Sequence, residues 1–296
     1  MEHVPVLDHR DPPVDVYSDG DVEDEILGYL ASGRDPESVI ARDARWPVLY
    51  HLSPVRRNLL EWYGFPAGGS LLEVGAGCGS LTGLFCERVR QVTAVELSLR
   101  RATVIATRHR AFRNLEVHVG NLASIELPAP FDVATLVGVL EYSPKFVRGE
   151  DPPLQLLRRV RELVRPGGTL LVAVENRFGL KYWAGAREDH TGLFFDGLEG
   201  YPGRGDVRTW GRVELAELLR RGGFPSQRFY YPWPDYKLPN HVYSDDWLPD
   251  PRELPPASPS YDQDRLRLFD EGRVAAGLLA NGLLPHFAPS FLVEGR

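Results

Sequence analysis

The stretch Ser70-Leu71-Leu72-Glu73-Val74-Gly75-Ala76-Gly77-Cys78-Gly79-Ser80-Leu81 changes character in its middle. An apolar run gives way to three alternating glycines and then to a helical pattern, which predicts a buried strand, a tight turn and a helix start. Gly75, Gly77 and Gly79 have no Cβ, so the backbone can take positive φ and approach a ligand closely. The first turn of the following helix offers free N–H groups. The stretch therefore predicts a loop that binds a polar ligand.

Two spacings indicate what kind of ligand this loop binds. A dinucleotide fingerprint has glycines in a G-x-G-x-x-G arrangement, but Ser80 stands at the last of these positions. The carboxylate of Glu73, just before the turn, would repel a pyrophosphate and suits a cationic or neutral group. The next apolar run ends at Glu96, roughly 20 residues downstream, where an acid commonly meets a ribose diol. These spacings predict a nucleoside with a cationic or neutral end.

In these motifs the sequence resembles the class I S-adenosylmethionine-dependent methyltransferases. The resemblance implies a Rossmann-like α/β fold, with a mostly parallel seven-stranded sheet, helices on both faces and an antiparallel edge strand. It implies that the glycine loop holds the methionine part of S-adenosylmethionine, that Glu96 holds the ribose hydroxyls, and that Asn121 takes the position of a residue that binds the adenine amine. The expected cofactor-binding residues are Tyr50, Glu73, Gly75, Ala76, Gly77, Gly79, Glu96, Leu97, Asn121, Leu122 and Gly138. A nicotinamide dehydrogenase, or a turn that only connects strand and helix, would fit the glycines less well.

The apolar run from Phe131 to Leu140 is typical of a strand buried on both faces of a parallel sheet. Ligands of open α/β sheets bind at the carboxyl ends of the strands, so we expect Glu141 and Tyr142 to face the reaction centre or its edge. A metal site at Glu141 would need further carboxylates nearby, and the sequence pattern supplies none. We therefore expect no metal.

Composition excludes several classes of protein. A net charge of −7 over 296 residues argues against a general nucleic-acid binder, which needs clustered Lys and Arg. No apolar run approaches the roughly 18 residues of a membrane span, and no secretory signal is visible, so we expect a cytoplasmic protein that acts on a small molecule or sugar. Cys78 and Cys86 are expected to be small buried thiols. A homo-oligomer is left open.

The chain divides by pattern into three parts. Residues 1–45 are expected to form an N-terminal arm, too polar and irregular for a packed element over 1–19, followed by short helices. Residues 46–248 are expected to form the cofactor-binding core, with a substrate-side insertion at 175–210. Residues 249–296 are expected to supply a Pro-rich linker, a helix over 262–279 and a last strand, 290–293, as the antiparallel edge of the sheet.

The insertion begins with Glu175-Asn176-Arg177-Phe178-Gly179-Leu180-Lys181-Tyr182-Trp183 and continues to Glu188-Asp189-His190-Thr191-Gly192. It is dense in charged and aromatic residues but has no hydrophobic period, so it suits a polar substrate better than a core. Together with Tyr50-His51-Leu52-Ser53-Pro54 and the aromatic run at 231–239, it resembles methyltransferases associated with bacterial surface-polysaccharide clusters and fused glycosyltransferases. The expected substrate-binding residues are Arg177, Lys181, Tyr182, Trp183, Arg187 and Trp210.

Methyl transfer from a sulfonium needs alignment of acceptor, methyl and sulfur and no nucleophilic residue. For a hydroxyl acceptor a base must take the proton, and His190, oriented by Glu175 or Glu188 and beside Tyr142, is the expected one. For a carboxylate or phosphate acceptor no base is needed, and the cations Arg177, Lys181 and Arg187 would bind it. His190 could instead only fix a loop. A carbon methyltransferase with aromatic walls and a non-catalytic partner of a glycosyltransferase are also compatible with the sequence.

Overall fold

The computed structural model describes residues 4–15, 20–254 and 263–296, which fall into two compact units. The first unit lies within Met1–Leu136 and Glu162–Thr169, and the second within Val137–Arg161 and Leu170–Arg296. No helix in these described ranges is both long and apolar enough to cross a membrane.

The first unit is built on five parallel strands in the order β1-β4-β3-β2-β5. Its strands are β1 (Val6–Asp8), β2 (Ser70–Val74), β3 (Gln91–Glu96), β4 (Leu115–Val119) and β5 (Phe131–Val137). Leu72 of β2 is paired with Thr93 on one side and Ala134 on the other. Consecutive residues of a strand point to opposite faces, and four in a row at 92–95 are buried, so both faces of the sheet are covered.

The helices of the first unit are α1 (Val22–Ala31), α2 (Pro36–Ile40), α3 (Trp46–Leu52), a 3₁₀ helix (Pro54–Leu59), α4 (Thr82–Arg88) and α5 (Leu99–Arg108). Ser98 caps α5, since its side chain accepts a hydrogen bond from the Arg101 N–H. One core cluster joins α1, α2, α3 and α5 to Cys78 of the glycine loop. Cys78 and Cys86 are both buried and free, as predicted.

The second unit is built around an antiparallel arrangement in the order β6-β9-β7-β8. Its strands are β6 (Val164–Glu175), of which 164–169 lie in the first unit, β7 (Gln227–Trp233), β8 (His241–Ser244) and β9 (Ser290–Gly295). Its helices are a 3₁₀ turn (Leu140–Tyr142), α6 (Ser143–Phe146), α7 (Pro152–Leu163, its last two residues in the first unit), α8 (Leu180–Trp183), α9 (Arg212–Arg221), α10 (Glu271–Ala280) and α11 (Leu284–Phe287).

Strand β9 is an inner strand of this arrangement. Val293 is paired with Val172 of β6 and with Phe229 of β7. The buried Phe291 ring meets Phe229 edge-on at 5.6 Å and Tyr231 at 6.3 Å between ring centres. Aromatic contacts of this kind add to the burial energy of a strand that is covered on both sides.

The predicted Rossmann-like α/β fold class with a mixed sheet is confirmed, but three details of the prediction are wrong. The described residues form nine strands rather than seven. The last strand is internal, and the antiparallel edge is β8, which lies in a proline-broken aromatic run through Leu248 whose pattern predicts a long connection. Val6–Asp8, expected to be irregular, pairs in parallel with β4. Val4 and Val6 alternate as residues of a strand do, but the Pro and Asp residues around them obscure this pattern.

Two further boundaries differ from the prediction. The sequence pattern predicts a turn at Arg165-Pro166-Gly167-Gly168 and a strand over 169–174, but strand β6 begins at Val164 and includes the turn segment. The final helix begins at Glu271, while Asp262 and most of the predicted linker lie outside the described residues. The proposed division at residues 45 and 248, with its insertion at 175–210, stays a prediction.

Candidate functional site

The glycine loop of the first unit has the backbone that its sequence predicts. Gly75, Gly77 and Gly79 have φ of +69°, +57° and +74°, conformations that L side chains rarely adopt. The N–H groups of Gly75 and Ala76 donate to the Val95 carbonyl at 2.8 and 3.2 Å. The loop is therefore tied to the neighbouring strand, β3, at the point where β2 ends.

Glu96, the last residue of β3, lies directly against this loop. Its Oε2 accepts a hydrogen bond from the Gly77 N–H at 2.8 Å, and its Oε1 accepts from the Leu97 and Ser98 N–H groups at 2.8 and 3.1 Å. Burial raises the pKa of this carboxyl group, while the Arg101 charge and the three N–H donors oppose the rise. The residues predicted to hold the methionine part and the ribose hydroxyls, Gly77 and Glu96, are thus in contact.

Glu73 is buried beneath the loop and accepts a hydrogen bond from the Thr82 hydroxyl at 2.6 Å. Burial, together with the nearby Glu96 charge, raises the pKa of Glu73 to about 8, so the group is neutral at pH 7. The sequence argument treated Glu73 as a carboxylate. In the structure Glu73 is instead a neutral acid, hydrogen-bonded to Thr82 nine positions later in the chain.

Helix α3 is tied to the same loop through the carbonyl of His51. That oxygen accepts from the Ser80 hydroxyl at 2.8 Å and from the Arg108 guanidinium at 2.7 Å, and Arg108 also donates to the Cys78 carbonyl at 3.2 Å. The neighbouring Tyr50 ring lies 4.0 Å from the Arg56 guanidinium carbon. We name Gly75–Gly79, Glu73, Glu96, Tyr50 and His51 the cofactor cradle.

The remaining predicted cofactor residues divide between the units. Asn121 and Leu122 follow β4, and the Asn121 amide oxygen accepts the Ala123 N–H at 3.0 Å, which shapes the turn. Gly138 belongs to the second unit. It has φ of +69°, and a Cβ there would lie 2.9 Å from the Tyr236 hydroxyl. The sequence analysis did not single out Thr82, which donates to Glu73, or Arg108, which donates to the loop carbonyl of Cys78. Helical spacing alone predicts neither contact.

The second unit brings together charged residues that are far apart in sequence. We name this group the charged cluster; it comprises Glu141, Glu175, Lys181, Glu188, Asp189, His190 and Lys237. The His190 Nδ1 lies 2.9 Å from Glu188 Oε1, while Nε2 lies 3.6 Å from Glu175 Oε2 and 3.8 Å from Glu141 Oε1. The backbone N–H groups of His190 and Thr191 donate to Glu188 Oε2 at 2.7 Å each. Glu188 thereby fixes the orientation of the His190 ring.

Two lysines complete the cluster. Lys181 Nζ donates to both oxygens of Asp189 at 3.0 and 2.8 Å. Lys237 Nζ donates to Asp189 at 2.6 Å and pairs with Glu175. Lys237 lies in the aromatic run at 231–239, whose resemblance was noted but whose lysine was not assigned a role.

The environment shifts several pKa values in this cluster. Burial disfavours a charged His190, but the carboxylates of Glu175, Glu141 and Glu188 outweigh it and raise the pKa of the imidazole well above its usual value. Burial and the nearby Glu175 raise the pKa of Glu141. Burial also opposes ionisation of Asp189, but Lys181 and Lys237 prevail and lower its pKa. At neutral pH, His190 therefore keeps a proton unless another cation takes its place.

The predicted catalytic residues Glu175, His190 and Tyr142 do meet, since the Tyr142 ring lies edge-on to the His190 ring at 5.2 Å. Among the predicted substrate residues, Tyr182 and Trp210 are buried, whereas Trp183 is 44% exposed. The two predicted anion-binding arginines already have partners. Arg177 pairs with Glu214 at 3.0 Å, and Arg187 stacks on Phe194 and donates to the Gly192 carbonyl.

Comparison with known proteins shows one matching family. Residues 72–170 match the model of a methyltransferase domain. The ubiquinone biosynthesis O-methyltransferases of Stutzerimonas stutzeri (strain A1501) and Azotobacter vinelandii (strain DJ / ATCC BAA-1303) are 27% and 30% identical over 140 and 141 residues, which are 46% of this chain and 57% of each relative. The chain thus spans little more than half the length of these curated relatives.

Among solved structures, the CcbJ methyltransferase from Streptomyces caelestis is 18% identical, with a TM-score of 0.49 over 82% of this chain and 88% of that one. A likeness at this level carries no information about substrate. The family match covers most of β2, the glycine loop, Glu96 and the strands that follow, but not Tyr50 and His51 of the cofactor cradle. Residues 72–170 therefore match a methyltransferase domain.

Proposed function

We propose that this protein transfers a methyl group from S-adenosylmethionine to a hydroxyl or other heteroatom of a polar small molecule or sugar, such as a natural-product or polysaccharide precursor. The observation that carries the proposal is the contact between Glu96 and the Gly77 N–H at the ends of two adjacent parallel strands. Parallel α/β sheets bind ligands at this edge. The domain match at residues 72–170 supports the same cofactor.

Within the cradle, we assign the ribose hydroxyls to Glu96 and the methionine part to the glycine loop. A carboxylate accepts hydrogen bonds from both hydroxyls of a ribose, and a loop without Cβ atoms leaves room for close backbone contact. Asn121 can accept from the adenine amine through its amide oxygen, and Leu122 supplies apolar surface for the ring. Tyr50 would close the methionine end.

The contacts of the second unit favour a hydroxyl acceptor over an anionic one. Lys181, Arg177 and Arg187, which could hold a carboxylate or phosphate, are each engaged by a partner in the structure. The curated relatives carry the name O-methyltransferase, which denotes transfer to oxygen. In such a reaction the oxygen–methyl bond forms as the sulfur–methyl bond breaks, S-adenosylhomocysteine leaves, and the hydroxyl proton must go to a base.

We place that proton transfer at the charged cluster. His190 is the predicted base, but its ring already carries a proton at neutral pH because three carboxylates surround it. We therefore propose that His190 works together with Glu141 and Glu175 rather than as a lone base.

Methyl transfer can be measured with S-adenosylmethionine that carries a labelled methyl group. The acceptors are three matched series of small aromatic and sugar compounds that differ only in bearing a hydroxyl, an amine or a carboxylate. The proposal predicts label in the hydroxyl series and production of S-adenosylhomocysteine in proportion. Cofactor binding without label in any series would favour a non-catalytic partner of a glycosyltransferase, and label on carbon would favour a carbon methyltransferase.

A further inference from the structure

We propose that Glu141, Glu175 and His190 form a binding site for a divalent transition-metal ion, with Mn²⁺ and Zn²⁺ as the best matched. This inference departs from the sequence analysis, which expected no metal because it found no carboxylates near Glu141. The fold supplies one carboxylate, Glu175, from 34 positions further along the chain and one imidazole, His190, from 49 positions further along. We call these three residues the metal triad.

The distances between the side chains of the metal triad suit a bridging ion better than direct hydrogen bonds. One ligand atom from each of the three residues lies within 4.8 Å of the other two. The His190 Nε2 is 3.6 Å from Glu175 and 3.8 Å from Glu141, longer than an N–H···O hydrogen bond. Two metal–ligand bonds of about 2.0–2.2 Å each span such a gap. An ion would therefore meet all three ligands with small side-chain movements.

Buried oxygens of the triad lack the partners that burial demands. Glu141 and Glu175 are fully buried, and Oε2 of each carboxylate has no hydrogen-bond donor among the described residues. A buried carboxyl oxygen without a hydrogen-bond donor destabilises the fold. Coordination to a cation would remove that cost for both residues at once.

The surroundings of His190 match those of a metal-bound imidazole. Glu188 is a carboxylate and can only accept, so the 2.9 Å contact places a proton on Nδ1. Nε2 faces Glu175 and Glu141, and a cation between them would replace the Nε2 proton, which passes to solvent, and bind the nitrogen lone pair. A carboxylate that orients the histidine from its other nitrogen is the usual second partner in metal sites. Glu188 is in turn held by two N–H groups and the Tyr201 hydroxyl.

The ligand set also indicates which ions would bind. Two carboxylates with one imidazole suit Mn²⁺, Fe²⁺ or Zn²⁺ better than Ca²⁺ or Mg²⁺, which prefer oxygen alone. The neighbouring Asp189 and Lys237 side chains keep 23% and 15% of their surface exposed, so the charged cluster meets solvent at these two residues. Lys237 pairs with Glu175 and would compete with the ion for that carboxylate.

A metal at this site would remove the need for a lone base in the proposed reaction. This part rests on the proposed function: an ion that binds the acceptor oxygen lowers the pKa of the hydroxyl, so that its proton passes to water at neutral pH before methyl transfer. Metal binding itself does not depend on methyl transfer. It is therefore measured without cofactor or acceptor, so that each proposal can fail separately.

The test uses the full chain, freed of metal with a chelator, and titrated calorimetrically with MnCl₂ and with ZnCl₂. We expect one ion per chain for at least one of the two, with a Kd below about 10 μM. Pulsed electron paramagnetic resonance of the Mn²⁺ complex, or X-ray absorption of the Zn²⁺ complex, should then show a single bound imidazole nitrogen. Weaker binding of both ions, or a bound ion without one imidazole, would overturn the proposal.

Variants identify the site. Glu141→Gln and His190→Gln should each weaken binding by about 100-fold or more, and Glu188→Gln by about 10–100-fold through the ring orientation. Glu199→Gln, an exposed change of the same kind in the same unit, should leave binding unchanged. Circular dichroism establishes that each variant is folded. Unchanged binding in folded Glu141→Gln and His190→Gln would overturn the proposal, and if neither folds, the wild-type spectra decide it.

Discussion

Individual residues of the cofactor cradle show which properties a sequence pattern carries and which it does not. The positive φ of Gly77 and Gly79 follows from the alternating glycines alone, because no other residue tolerates such a turn so readily. The charge state of Glu73 does not follow. It depends on burial and on Thr82 and Glu96, which only the folded chain places beside it.

The raised pKa of Glu73 makes stability depend on pH. The unfolded group ionises near its ordinary pKa, about 4.5, whereas the folded group holds its proton up to about 8, so the folded state binds more protons between these values. Stability of the cofactor-free protein should therefore fall as the pH rises through this window. Glu73→Gln, which keeps the shape of the neutral acid, should match the wild type near pH 5 and exceed it at pH 8 in urea unfolding.

Exposed Glu126→Gln, in the same unit, serves as the control and should track the wild type at every pH. If Glu73→Gln runs parallel to the wild type from pH 5 to 8, Glu73 is ionised in the fold and the description of its burial is incorrect.

Gly79 is required for two separate reasons that substitution can separate. Gly79 and Gly167 share a φ of +74°, but a Cβ at Gly79 would lie 2.9 Å from the His109 ring, whereas one at Gly167 meets nothing within 4 Å. Gly167→Ala should cost about 1–2 kcal/mol of unfolding free energy from backbone strain alone. Gly79→Ala should cost about 1–3 kcal/mol more because His109 must move. If the two variants lose equal unfolding free energy in chemical denaturation, His109 moves aside without a measurable cost.

At the scale of elements, the sequence predicted most strands but not all of their places. The runs at 70–74, 91–96, 115–119 and 131–137 are strongly apolar, and each forms a strand. The position of β9 depends on pairing with β6 and β7, which are distant in sequence. The sequence analysis placed the last strand at the edge of the sheet. The apolar pattern of a strand does not show how many neighbouring strands pair with it.

The inner position of β9 predicts a large effect for a single core residue. Phe291→Ala removes a fully buried ring that packs on Phe229 and Tyr231. Such a change should lower the free energy of unfolding by about 3–5 kcal/mol. Leu283→Ala, at a leucine that is 44% exposed, should have little effect and serves as the control. A loss below about 1 kcal/mol for Phe291→Ala would place β9 at the surface, as the sequence pattern suggested.

For the whole molecule, the sequence was sufficient for the fold class and the cofactor but not for the charged cluster. The glycine loop and Glu96 are about 20 residues apart and form one recognisable motif. The sequence analysis placed Glu175 or Glu188 beside His190, but only the folded second unit shows that Glu141 and Lys237 join them. Local motifs can therefore be read from sequence, while clusters assembled by topology have to be found in the structure.

The central claim is that the cradle formed by the glycine loop and Glu96 binds S-adenosylmethionine, and isothermal titration with S-adenosylhomocysteine tests it most directly. The account predicts one site per chain in the wild type, with affinity reduced about 10–100-fold in Glu96→Ala, because hydrogen bonds to a carboxylate are lost, and unchanged in exposed Glu126→Ala. No binding heat at several temperatures with folded wild-type protein, or equal affinity in folded Glu96→Ala, would contradict it.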